Sequence, residues 1–254
     1  MQGRRRARRD EVSAAAAYAR SKTAVADDAP LGCLLTTTEE SLGVSVIIAP
    51  LGPDIAGLYA PLNGGVALIA GKDTPVRRRF TLAHELGHHC LGHGDRLDTP
   101  ETIRDAPTED EVDANQFAAE FIAPQEAVES FVESLADASP SLELVCRVSN
   151  HFAVSAQMAR IRLETCGIIT DRRVNGELDE QIFSGKTKAV YEDLELKDRD
   201  DICATPPEEL PRLPESAEET ALGDLINGEM SAEEFARLSG MDVALVERVF
   251  GPGA

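Results

Sequence analysis

The chain has no apolar run approaching the ~18 residues needed to cross a bilayer, so no membrane-spanning segment is expected. Cysteine is sparse and scattered: Cys33, Cys90, Cys146, Cys166 and Cys203 are odd in number and form no C-x-x-C pair. Reduced thiols fit that pattern, whereas a disulfide framework or a cysteine zinc site does not. Any zinc must come from histidine and carboxylate. Basic side chains are also in deficit, with 25 Lys and Arg against 45 Asp and Glu and a net charge of −20. Residues 171–254 carry −12 of it, from 21 acidic and 9 basic residues. Such a surface repels a nucleic-acid backbone, favours basic partners and stays solvated. The exception is the cluster Arg4, Arg5, Arg6, Arg8 and Arg9, read here as a disordered arm. The apolar residues 14–17 after it are too few for the core of a signal peptide, and a cytoplasmic protein is expected. What is present, 43% apolar and 28% charged residues without a repeat, suits a soluble chain of one or two domains.

Histidine is rare as well, yet four of the five lie in residues 81–93. Within that stretch His84-Glu85-Leu86-Gly87-His88 has the form H-E-x-x-H. On a helix, positions i and i+4 share a face, so both imidazoles can hold one metal ion. Glu85 then sits beside the metal, where a carboxylate can take the proton from an activated water. The motif falls in a well-formed helix: Thr74 can cap it, Pro75 suits its first position, and Gly92 with Gly94 marks its end. The plain alternative is a helix with solvated imidazoles. His89 points about 100° away from His88 around the helix, and His93 lies beyond the glycine turn. A metzincin pattern would need glycine at position 91 and histidine at position 94, where this chain has Leu91 and Gly94.

The elements around this helix divide the chain. Residues 1–30 form an arm and an alanine-rich helix from about Asp10 to Ala24, broken before Pro30. Residues 31–137 form the core. A short helix closed by Gly43 leads into three β-branched segments at 44–48, 55–60 and 66–70, read as an antiparallel meander. After the histidine helix, 95–107 reads as a loop and Thr108 opens a second helix that Pro124 stops. A further helix spans 126–135. Residues 138–170 read as helix, turn, helix. Residues 171–220, charged and proline-containing, read as a linker or loosely ordered extension. Residues 221–254 look like a second helix-turn-helix, with Ala236, Gly240 and Val246 at its small, turn and apolar positions and a capping box at Ser231-Ala232-Glu233-Glu234. Its reading helix has no surplus of basic side chains, and Arg160 with Arg162 adds little in the earlier element. Protein binding or plain packing is therefore favoured over DNA.

A catalytic zinc site uses about three protein ligands and keeps one position open. With His89 and His93 set aside, the third is expected to be a carboxylate from the second helix, where Asp110 and Glu111 both fall within about 55° of the apolar stripe. Glu109 and Asp113 point away. Periodicity leaves both candidates standing, and Thr108-x-x-Glu111 is also a capping box that could occupy Glu111 structurally.

Arg77-Arg78-Arg79-Phe80-Thr81-Leu82-Ala83-His84-Glu85-Leu86-Gly87-His88, followed by Glu111-x-x-Ala114-Asn115-x-Phe117-Ala118-Ala119-Glu120-Phe121-Ile122-Ala123-Pro124, resembles the ImmA/IrrE family of zinc metallopeptidases. The likeness covers roughly residues 44–163. It departs at Phe121-Ile122-Ala123-Pro124, where the family usually has Leu-Leu-Met-Pro, and leaves the acidic final third without a counterpart. The resemblance implies an α+β, zincin-like (gluzincin-type) core with a small antiparallel sheet, followed by helix-turn-helix-like elements. It implies Zn²⁺ on His84, His88 and Glu111, with Glu85 as general base. His93, Tyr59 and an arginine among Arg77, Arg78 and Arg79 are candidates for stabilising the oxyanion, the arginines being better read as a solvated or structural face. The implied activity is cleavage of a helix-turn-helix transcriptional repressor, while the acidic charge and the lack of a long apolar run speak against direct nucleic-acid binding and a membrane. The competing expectation is a non-proteolytic zinc-containing regulator that acts by binding protein or DNA.

Overall fold

A computed structural model describes residues 2–49, 51, 55–61, 65–93, 96–98, 108–196, 212, 221–239 and 243–250. The N-terminal helix α1 (Gln2–Ser21) begins well before Asp10. The part of the arginine cluster within it is thus helical rather than a disordered arm. Arg8 explains why: its guanidinium pairs with Glu109, Asp110 and Asp113 more than 100 residues away. Gln116 donates to the Arg9 carbonyl and to Ser13 Oγ in the same seam. Local composition reports the charge of a segment but not the acidic helix start that neutralises it.

A short helix α2 (Leu34–Thr36) widens into a π-turn at Thr37–Leu42 and ends at Gly43, whose φ of 70° is the left-handed geometry that glycine adopts without strain. The sheet strands are β1 (Ser45–Ala49), β2 (Gly57–Ala60), β3 (Val66–Ala70) and β4 (Arg96–Asp98). Their spatial order is β1-β3-β2-β4, with β1 parallel to β3 and the other pairs antiparallel. The expected meander is therefore corrected. β3 returns between its two predecessors, and part of the segment expected to be a loop supplies β4. Turn residues signal a reversal but not which neighbour the next strand joins. The signals at 52–54 and 63–64 lie outside the described residues.

Burial gives the physical reason for this arrangement. Val46, Ile48, Ala67 and Ile69 face the main core, while Ile47, Ala49, Val66, Leu68 and Ala70 face a second one. A sheet covered on both faces carries continuous apolar strands and tolerates a parallel pair. The main core joins the sheet to α1, to α3 (Pro75–Cys90) and to α4 (Glu109–Ile122). It continues into α5 (Gln125–Glu133), α6 (Leu142–Phe152) and α7 (Ala156–Thr165). Residues 171–196, expected as linker, instead form α8 (Arg172–Phe183) and α9 (Thr187–Asp193). Leu178 packs in the main core, and the Tyr191 hydroxyl lies 2.5 Å from Ser149 Oγ. Residues 197–211 and 213–220 lie outside the described residues. Arg212 exchanges both backbone hydrogen bonds with Ile48 at the edge of β1 and grips both oxygens of Glu39.

The second core is capped by α10 (Ala221–Ile226), α11 (Ala232–Ser239) and α12 (Val243–Phe250). Leu225, Phe235, Ala236, Val246 and Val249 are buried against the sheet. Ala236 and Val246, placed by sequence in a helix-turn-helix register, thus serve packing; Gly240 is outside the described residues. In α7, Arg162 pairs bidentately with Glu120 and donates to the Ala123 carbonyl, while Arg160 pairs with Glu164 and Asp179. Both arginines are committed to the fold. Because Phe235 is 3% exposed beneath the sheet, Phe235→Ala is expected to cost about 3–5 kcal/mol of unfolding free energy. Denaturant titration checks this, and a change below about 1 kcal/mol would mean that the C-terminal helices are only loosely docked.

Candidate metal centre

Helix α3 starts as its sequence dictates: Thr74 Oγ1 accepts from the Arg77 amide, and Pro75 occupies the first position, where its missing N–H costs nothing. Arg79 then donates to the Gly32 and Leu31 carbonyls, and Arg77 pairs with Asp73. Arg78 and Arg79 are buried, so this is an anchored face and not a solvated one. Helix α4 starts with Thr108 accepting from the Glu111 amide. The backbone half of the expected capping box forms, while the Glu111 carboxylate turns toward the histidines.

The two helices meet at a glycine. A Cβ on Gly87 would lie 2.9 Å from Ala114 Cα and 3.2 Å from Phe117 Cβ. That spacing brings the first turn of α4 over the H-E-x-x-H face. His84 Nε2 lies 3.1 Å from Glu111 Oε2 and 3.1 Å from His88 Nε2, and His88 Nε2 lies 3.6 Å from Glu111 Oε1. Donors bound tetrahedrally at about 2.0–2.2 Å stand roughly 3.3–3.6 Å apart. The two Nε2 atoms and one carboxylate oxygen of Glu111, all within 4.8 Å of one another, therefore approach the spacing of one face of a zinc coordination shell. His84 and His88 are fully buried and Glu111 is 4% exposed.

The rings are also oriented. His84 Nδ1 lies 3.1 Å from Asn115 Oδ1, an acceptor that favours the tautomer with the proton on Nδ1 and Nε2 turned to the site. Asn115 sits one turn after Glu111, so a single face of α4 supplies both the carboxylate and the group that orients the first histidine. His88 Nδ1 lies 2.8 Å from His93 Nδ1, and His93 Nε2 lies 3.7 Å from Asp110 Oδ1. Asp110 thus stands next to the centre but behind it, while Glu111 faces the two Nε2 atoms. Helical spacing gives His93 no place among the ligands, and Asn115 stands in the sequence only as part of the motif that carries the family likeness. The i, i+4 spacing from Glu111 was the signal available for Asn115; His93 gave none, because its approach depends on the turn at Gly92, with φ of 70°.

Strand β2 lies along α3 in matched steps. Two strand residues advance about 6.6 Å and one helical turn about 5.4 Å, so Gly57 meets Glu85 and Tyr59 meets His89. The Tyr59 hydroxyl is 2.9 Å from His89 Nδ1, and burial pushes the His89 pKa down. At Gly57 a Cβ would stand 2.1 Å from Glu85 Oε1 and 2.8 Å from Thr81 Cγ2. Glycine is what lets the strand lie against the buried carboxylate. Thiols are poor competitors for this chemistry: burial pushes Cys90 and Cys146 up to about 11, so both are protonated at neutral pH. Beside the centre, a groove of about 1030 Å³ runs between α3, α4 and α7. Phe80, Val112, Met158 and Ile161 line it, and it reaches Thr81 and Asn115.

An H-E-x-x-H helix under a small sheet, with a buried carboxylate supplied by the next helix, defines a zincin-like metallopeptidase core of the α+β class. The chain belongs to the ImmA/IrrE family: residues 39–164 match the IrrE N-terminal-like domain, a peptidase family. No curated protein shows significant similarity to the chain. The match contains both His84, Glu85, His88 on α3 and Glu111 on α4. Gly57→Ala is expected to lower unfolding free energy by about 1–3 kcal/mol through overpacking. Chemical denaturation measures it, and wild-type stability in the variant would show that Glu85 has room to swing aside.

Proposed function

We propose that this protein is a zinc-dependent endopeptidase that cuts a helix-turn-helix transcriptional repressor in the cytoplasm and so relieves repression. The observation that carries the metal assignment is the closed triangle of His84 Nε2, His88 Nε2 and a Glu111 carboxylate oxygen, all within 4.8 Å of one another. Two neutral nitrogens and one anionic oxygen form a donor set typical of hydrolytic zinc. When bound, zinc supplies Lewis acidity toward a peptide carbonyl and a water molecule.

The chain's own residues do the rest. Asn115 holds His84 in the ligating tautomer. Glu85, on the same turn of α3 and packed against Gly57, takes a proton from the attacking water and delivers it to the leaving amine nitrogen. A carboxylate of fixed position is well suited to that shuttle because general acid–base catalysis depends first on geometry. The apolar groove beside the centre offers side-chain pockets for a polypeptide. A net charge of −20 favours a basic protein partner over nucleic acid.

The test compares wild type with Glu85→Gln on a purified helix-turn-helix repressor as substrate. Zinc content by mass spectrometry is expected to stay at one per chain in both proteins, while the cleavage rate falls by about 10²–10⁴-fold in the variant. Equal rates would remove Glu85 from the mechanism. Stoichiometric zinc with no cleavage by either protein would favour a regulator that binds without hydrolysing.

A further inference from the structure

We propose that His93 and Asp110 are positioning residues that set the orientation and tautomer of His88 for metal binding. The proposal rests on the metal reading of His84, His88 and Glu111. For His88 to present Nε2 to a metal, its proton must reside on Nδ1, and that N–H must meet an acceptor. The acceptor 2.8 Å away is His93 Nδ1. If His93 accepts there, its own proton resides on Nε2, which faces Asp110 Oδ1 at 3.7 Å. A carboxylate at that position favours the Nε2–H tautomer. Asp110 is in turn tied to Arg8 on α1, 3.2 Å from the same oxygen.

The order of burial agrees with an inward chain of support. The side chains of His88, His93 and Asp110 are 0%, 10% and 33% exposed. The two histidine rings meet edge to face, with centroids 5.0 Å apart and planes at 61°, so His93 restrains the His88 ring by packing as well as by hydrogen bonding. The two ligating imidazoles are thus held by different devices: Asn115 from α4 holds His84, while the turn after α3 holds His88. This assigns roles to two residues that helical spacing alone leaves without one. His93 lies too far along the chain to share the H-E-x-x-H face. Asp110 shares the apolar face with Glu111, yet it acts one shell further out.

Zinc affinity of the full-length protein, measured by competition with a chromophoric chelator, tests the proposal without requiring a substrate. His93→Ala is expected to weaken zinc binding by about 10–100-fold. His93→Asn, whose Oδ1 can stand where Nδ1 accepts, is expected to recover most of that loss. Asp110→Asn is expected to weaken binding less, and to have no further effect when combined with His93→Ala, because the two act in series. Thermal melting of the metal-free proteins serves as the control for a merely structural role. Unchanged zinc affinity in His93→Ala would overturn the proposal. So would an Asn variant no better than Ala, with both losses tracking the metal-free melting temperature. If wild type itself binds no zinc, it is the metal reading that fails, and the two failures are distinguishable.

Discussion

Everything at the centre depends on how closely α4 can approach α3. The contact is made at Gly87 against the Ala114 backbone, where even one methyl group would stand at 2.9 Å. The second variable position of H-E-x-x-H is therefore a packing position, and its small size brings the first turn of α4 within reach of both Nε2 atoms. The apolar stripe of α4, with Phe117 and Phe121 fully buried and stacked 5.7 Å apart, holds the helix at that distance. Tight packing and the spacing of His84, His88 and Glu111 are one constraint here, because interiors packed to crystal density do not deform continuously.

The sheet supplies the opposite wall. Strands β1, β2 and β3 are buried, with the main helical core on one side of the sheet and α10, α11 and α12 on the other, so β2 is fixed relative to α3. The near-equal advance of two strand residues and one helical turn then sets Gly57 on Glu85 and Tyr59 on His89. The described parts of the acidic final third are packed into this architecture. Arg212 bridges β1 and Glu39, and Phe235 with Val246 closes the outer core. Thus described residues without a counterpart in the family likeness cover the outer face of the wall behind the centre.

The parts of this arrangement visible in the sequence are those governed by local rules. The caps at Thr74 and Thr108, the helical spacing of His84 and His88, and the helix–turn–helix at 142–165 all follow from interactions within one or two turns. Pairing over long separations was not visible in the same way. The insertion of β3 between β1 and β2 depends on which faces become covered, and the helical state of the arginine-rich start depends on carboxylates more than 100 positions away. Helical spacing left Asp110 and Glu111 undivided because both lie near the apolar stripe; only the likeness to a family favoured Glu111, and the geometry separates their places. Helical spacing gives His93 no place beside His88, because a glycine turn folds it back along a path that no helical wheel describes. Residues 171–196 read as linker because charged composition and the prolines further along mask two short helices.

The central claim is that the carboxylate of α4 completes a metal centre begun by α3. Isothermal titration of zinc into the metal-free wild type and Glu111→Ala addresses it directly. The account predicts one tight site per chain in wild type and at least a 100-fold weaker one in the variant, with the fold intact by circular dichroism. Wild-type affinity and stoichiometry in Glu111→Ala would contradict it.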